Sequence, residues 1–324
     1  MPGLVIPLAN FEMEIAQIDL GDGWEIRPLG HDDLTHIGTN FYIAQHFSPM
    51  HHKDMTYALA QKVGPNEDPP SLDPRLGIDI IRSLKLLHAG DISTPLYFYN
   101  NRTKGQSVSG GLFSAKHIGV PYRLLSSDID DLRRILAAII GIRNKDNQQI
   151  ENALSRFDDA CSRTKTGDPI VDCFTALESC LTPDGQAEIG FRLALRVAAL
   201  LVGFKQAVYV RELMKVGYDV RSKMVHGGAQ FHKLFSDSKF IRKLRPLKVA
   251  MDVDPDLPCI TSTSFSSDVV ECTRTALRVV VLSMATKYAS CDELVADLDR
   301  RLAAALEASG TVLPSPAGCP TSRF

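Results

Sequence analysis

Arg221 and His226 stand five positions apart in the stretch YDVRSKMVHGG, residues 218–228, directly ahead of two glycines. An imidazole titrating near neutral pH can take or give a proton, and a guanidinium offers a rigid fork of donors to a phosphate. These types suit RNA cleavage without a metal: a base deprotonates a ribose 2′-hydroxyl, which attacks the adjacent phosphate while a cation stabilises the added negative charge. The products would be a 2′,3′-cyclic phosphate and a 5′-hydroxyl. On an unbroken helix, however, five positions turn two side chains about 140° apart. The pair can cooperate only if the helix ends here or a second chain contributes. Spacing alone is weak evidence, because nine histidines give about one or two R-x4–6-H coincidences in a chain of this size. A second instance does occur, Arg82 to His88 in RSLKLLH, on a stretch that reads as ordinary amphipathic packing.

The elements that must position Arg221 and His226 are helical. From Ser127 onward the apolar residues recur at helical spacing, which sets a domain boundary near residue 125. SDIDDLRRILAAIIGI and NQQIENALSRFDDACSR read as two helices, the first with acidic residues in its opening turn. Asp168 and Pro169 form an N-cap and first-turn pair for DPIVDCFTALESCL. AEIGFRLALRVAALLV follows, then KQAVYVRELMKVGYDVRSKMVH, which Gly227 and Gly228 stop. His226 would then lie on the last turn or just past it, where a relaxed helical phase would let both side chains reach a common space. After an irregular stretch over 246–267, SDVVECTRTALRVVVLSMATKYA and CDELVADLDRRLAAALEA complete a bundle, and residues 309–324 read as a disordered tail. Residues 1–125 carry mixed signals. FEMEIAQIDLG, GWEIRPLG, PLYFYNN and GVPYRLL read as strands, GPNEDPPSLDPR as a proline-rich loop, and LGIDIIRSLKLLHAG as a helix. The fold class is therefore an α+β N-terminal region of unknown role followed by an all-α domain over 126–308.

Within that second part, residues 145–308 resemble the HEPN domain, in the ApeA-like branch found in prokaryotic phage-defence and toxin proteins. RFDDACSR, DPIVDCFTALESCL, FRLALRVAALLV and above all YDVRSKMVHGG carry the resemblance, in that order and at family-like intervals. It implies a dimerising helical bundle in which R-x4–6-H motifs of two protomers face one another across a composite cleft and cleave RNA without a metal or cofactor. Arg221 and His226 are then the catalytic residues, and a second copy answers the geometric objection. Ser222 takes a polar position beside the arginine and offers a hydroxyl to the phosphate. Glu178, in the ALE segment, is the acidic residue that would orient Arg221 or His226. The resemblance also implies a role in phage defence or as a growth-arresting toxin, with an antitoxin or phage-derived trigger as partner. A separate reading makes the N-terminal region a sensor that restrains the nuclease until an infection signal binds, in which case a chain beginning near residue 127 would be more toxic than the whole. The alternative is a non-catalytic bundle that binds RNA or a nucleotide, or only dimerises.

Composition narrows the rest. A net charge of -2 and a pI near 6.5 give no global basic signature, so an RNA partner must meet local patches. The segment HKLFSDSKFIRKLRPLK, residues 232–248, supplies Lys233, Lys239, Arg242, Lys243, Arg245 and Lys248 against Asp237 alone. Arg192 and Arg196, four apart and so on one helix face, could also line a cleft. Seven cysteines without a C-x-x-C suggest buried thiols in a reducing compartment. The N-terminus lacks a secretory pattern, and the apolar run 193–204 is too short to span a bilayer, so a cytoplasmic location with no membrane partner is expected. HFSPMHH, residues 46–52, lacks the other ligands that zinc would need. A Walker A loop, a dinucleotide fingerprint and a nucleophile elbow are all absent from the sequence.

Overall fold

The computed structural model describes residues 3–33, 55–61, 75–92, 94, 97–101, 106–110, 120–145, 147–163, 167–183, 188–254 and 259–308. The histidine-rich stretch 46–52, most of the proline-rich loop and the tail lie outside the described residues. A small antiparallel sheet comes first and helices follow. Its strands are β1 (Gly3–Ala9), β3 (Ile18–Gly21), β4 (Trp24–Pro28), β5 (Met55–Gln61), β6 (Tyr97–Asn101) and β7 (Gln106–Gly110), in the order β3-β4-β5-β1-β6-β7. β2 (Phe11–Met13) pairs separately, in parallel, with β8 (Tyr122–Leu124). The central β1 reads LVIPLA and is buried along its length, as a strand with neighbours on both sides should be.

One helix joins sheet to bundle. α1 (Arg75–Leu87) crosses the sheet at Gly77, where a Cβ would stand 2.7 Å from Ile6 Cδ1 and 3.2 Å from the ring of Trp24, itself 1% exposed. The periodicity of α1 suggests one wet face, but Asp79 and Lys85 are buried with its apolar residues. Their charges are paired across to the bundle, as burial requires. Arg82 bridges Asp158 at 2.9 Å and Glu151 at 3.0 Å, Lys85 Nζ lies 3.1 Å from Asp158, and Arg143 pairs with Asp79. Arg82 of the second R-x4–6-H match is thus a packing residue, and His88 Nε2 sits 3.0 Å from Asp128.

Carbonyls at the C-terminal end of α1 are capped by distant side chains. Arg274 donates to the carbonyls of Lys85 and His88, Arg278 to Leu87, and the Tyr122 hydroxyl to Leu84. The two arginines belong to α10 (Ser262–Thr286). Before it come α2 (Ile129–Arg143), α3 (Gln148–Ser162), α4 (Asp168–Leu181), α5 (Ile189–Leu200), α6 (Ala207–Gly227) and the short helices α7 (Phe231–Leu234), α8 (Ser238–Lys243) and α9 (Arg245–Ala250). α11 (Cys291–Ala308) closes the described chain. α10 packs against α1 through α6 and is the axis of the bundle. Its start differs from the sequence expectation, since Thr261 and Ser264 form a capping box and the helix opens inside the supposed irregular stretch. Likewise Asp168 is the first residue of α4, and Gly167 takes the cap position, where a Cβ would press on Phe231 at 2.5 Å. Buried side chains of sheet and bundle form one continuous apolar cluster. Cys173, Cys180, Cys272 and Cys291 are buried thiols, whereas Cys259 is exposed. Among the described residues no helix is long and apolar enough to cross a membrane.

Candidate functional site

α4 and α6 meet where Gly217 admits the ring of Phe174. A Cβ on Gly217 would lie 2.7 Å from two of its ring atoms. One turn further along both helices stand Glu178 and Arg221, and they bond, with Arg221 Nη2 3.2 Å from Glu178 Oε2. Both side chains are about one-fifth exposed, at 20% each. Glu178 thus touches the arginine of the motif and not the histidine. Burial pushes its carboxyl above the usual range, and the Arg221 charge and the Tyr218 hydroxyl pull it back down. Tyr218 is a residue the sequence reading did not single out. Its ring sits edge-on to Phe174 at 5.8 Å and takes the Arg221 guanidinium at 5.6 Å from its centroid. Gly190 of α5 makes room for it, because a Cβ there would be 2.3 Å from the ring.

α6 does not relax before His226. It runs regularly through Gly227, and Gly228 closes it in the left-handed conformation, φ 58°, with its N–H returned to the Lys223 carbonyl. The expectation that a loosened last turn would bring Arg221 and His226 together is therefore corrected: they keep their separation of about 140°. At 100° per residue, Arg221, Val225, Tyr218, Ser222, His226 and Asp219 follow one another around half the helix. None of the six is buried, while Leu213, Val216, Gly217 and Val220 on the other half are. Arg221 occupies one rim of this outward half, tied to α4. His226 lies near the other rim, exposed, with no hydrogen bond or ion pair among the described residues. Ser222 lies between them, half-buried.

The basic candidates divide. Residues 231–250 fold as the three short helices α7, α8 and α9, and α8 is fastened to α6 by a Lys243–Asp219 ion pair and by Lys223 over the Phe240 ring at 5.3 Å. Lys233, Lys239, Arg242 and Arg245 are exposed on these helices, Lys243 is engaged with Asp219, and Lys248 is 3% exposed. Arg196 is corrected as an RNA contact. It is 1% exposed, its fork is filled by Asp299 at 2.8 and 2.6 Å, and its Nη1 donates to the Leu181 carbonyl at 2.7 Å. It locks α5 to α11 and to the end of α4. Arg192 stands near the same carboxylate, at 3.9 Å. Among the described residues no group of three His, Cys, Asp or Glu side chains is arranged to hold a metal ion.

Comparison with protein-family models, with curated proteins and with solved structures finds no match to this chain.

Proposed function

We propose that this chain is a HEPN-type endoribonuclease that cuts RNA by 2′-hydroxyl transesterification in a cleft completed by a second copy. The observation that supports it best is the state of Arg221. Its guanidinium is held by Glu178 through Nη2 alone, at the edge of an outward-facing half-helix that also carries Ser222 and His226. In this reading Arg221 binds the scissile phosphate and His226 takes the 2′-hydroxyl proton, then returns a proton to the departing 5′-oxygen. Because about 140° separates the two on one helix, the arginine of one copy works with the histidine of the other. Ser222 donates its hydroxyl to the phosphate, and Lys233, Lys239, Arg242 and Arg245 track the RNA backbone beyond the cleft. A defence or toxin role, restrained by an antitoxin or released by a phage-derived trigger, belongs to the same proposal, as does a cytoplasmic setting.

The experiment is RNA cleavage in EDTA by the wild type and by His226→Ala, with end-group analysis of products. The expected result is cleavage that leaves cyclic phosphate ends and falls at least 100-fold in the variant. A second reading, a bundle that binds RNA without cutting it, draws on the exposed and unengaged state of His226 in the single chain. It would be preferred if folded, dimeric protein bound RNA and left it intact.

A further inference from the structure

α6 and α11 both pack on α5, and Arg196 fixes the second of these contacts through Asp299. Between the first turns of α6 and the later turns of α11 the three helices leave a cavity of about 410 Å³, a size that holds a small ligand. Leu195 and Ala199 line it from α5, Val208 from α6, Leu302 from α11, and Val202 from the turn that follows α5. Val202 and Val208 are 64% and 55% exposed, so the apolar lining meets water, and covering it is favourable.

Two cations line the same cavity, Arg211 and Arg301, and among the described residues no carboxylate does. A guanidinium offers five N–H groups, and each of these two is steadied by its neighbours with donors to spare. Arg211 gives Nε and Nη2 to one oxygen of Glu212, at 3.0 and 2.8 Å, and its Nη1 has no hydrogen bond among the described residues. Arg301 gives Nη2 to Asp297 and to the Tyr288 hydroxyl, which leaves Nε and Nη1. Glu212 also faces Lys215 at 4.0 Å, and Asp297 also faces Lys287 at 3.0 Å and Arg300 at 3.3 Å. In these two ion-pair groups cations outnumber carboxylates, so the cavity has an apolar lining and a positive border.

We propose that this cavity binds a free aliphatic carboxylate, its chain laid along Leu195, Ala199 and Val208 and its headgroup held by the unbonded N–H groups of Arg211 and Arg301. Chain length then sets affinity, and the two guanidinium forks select the anion. About 10 Å of backbone rise separates Leu195 from Val202, the reach of a decanoate tail. The proposal does not rest on the nuclease reading, because the cavity borders the first turns of α6, whereas Arg221 and His226 stand towards the other end of that helix.

Titration calorimetry of the full chain with sodium decanoate tests it, with butanoate and decylammonium as controls. The expected result is saturable binding of one decanoate per chain, tighter than either control by about tenfold or more. Val208→Trp, a change at an exposed position that fills the cavity, should abolish binding, and Arg301→Gln should weaken it by about tenfold. If Val208→Trp lowers the melting temperature, Val202→Asp takes its place, since it sets a charge in the apolar lining at a still more exposed position. Equal affinity for decylammonium overturns the proposal, and so does decanoate binding that these variants leave unaltered. Sedimentation with phosphatidylglycerol vesicles in the absence of any decanoate binding overturns it in favour of a lipid-surface contact. A wild-type dimer that Val208→Trp turns into a monomer in analytical ultracentrifugation overturns it in favour of an interface between copies.

Discussion

Single residues in this molecule are charged where the fold is dry, and their partners lie far away in sequence. Asp79 is the clearest case. Burial against α2 and α3 raises its carboxyl from 3.8 to about 6, against the pull of Arg143 and Arg82. A carboxyl raised on folding favours the native state fully below its unfolded value of 3.8, and that contribution is lost as pH rises through about 6. Asp79→Asn keeps the shape and removes the proton, so urea midpoints of the variant should vary less than those of the wild type between about pH 4 and 6. An equal slope in both proteins would assign the pH dependence to other groups. Sequence alone could not place these pairs. Arg82 and Lys85 look like the wet face of an amphipathic helix until Asp158, more than seventy positions on, is brought to them. Tyr218 escaped notice for the same reason, since the carboxylate that gives it meaning is on another helix.

Helices long enough to show a period were legible, and the shortest were not. α2 to α6, α10 and α11 follow from apolar spacing and caps, although the first turn of α10 was hidden in a stretch rich in Pro, Ser and Thr. β2, β3, β4, β6 and β8, at three to five residues, were read from the glycine and proline turns beside them, whereas β1, with a proline in its middle, β5 and β7 were missed. α7 to α9, at four to six residues, are too short for a helical period. The candidate site depends on one element contact that sequence gives no sign of, the passage of Phe174 over Gly217. Gly217→Ala puts a methyl into that ring, and the helices must part. Urea denaturation should show a loss of about 1–3 kcal/mol, and RNA cleavage should fall further than that loss of folded protein explains, because Glu178 and Arg221 sit one turn beyond the contact. Activity that tracks the folded fraction alone would mean the site tolerates the shift.

At the scale of the whole molecule, α1 decides what can be separated. It meets the sheet at Gly77 and the bundle through Arg82, Lys85 and its capped C-terminal end. A chain beginning near residue 127 lacks it, takes Arg82 and Lys85 from Asp158 and the α1 carbonyls from Arg274, and uncovers the faces of α2 and α10 on which α1 packs. Such a chain should fail to give a cooperative thermal transition by circular dichroism. A sensor acting from residues 1–125 would therefore have to work by shifting α1 in place, and a truncated chain that melted cooperatively and cut RNA faster than the whole would refute this.

The arginine caps on α1 also set an order of events during synthesis. Arg274 is separated from the backbone it caps by 189 and 186 positions. The Arg221 and His226 segment, at the end of α6, is made ahead of α10, so it joins a chain whose α1 has no lid on its carbonyls and whose bundle has no axis. Until α10 leaves the exit tunnel, the nascent chain holds the Arg221 and His226 segment without the helix on which the rest of the bundle is built.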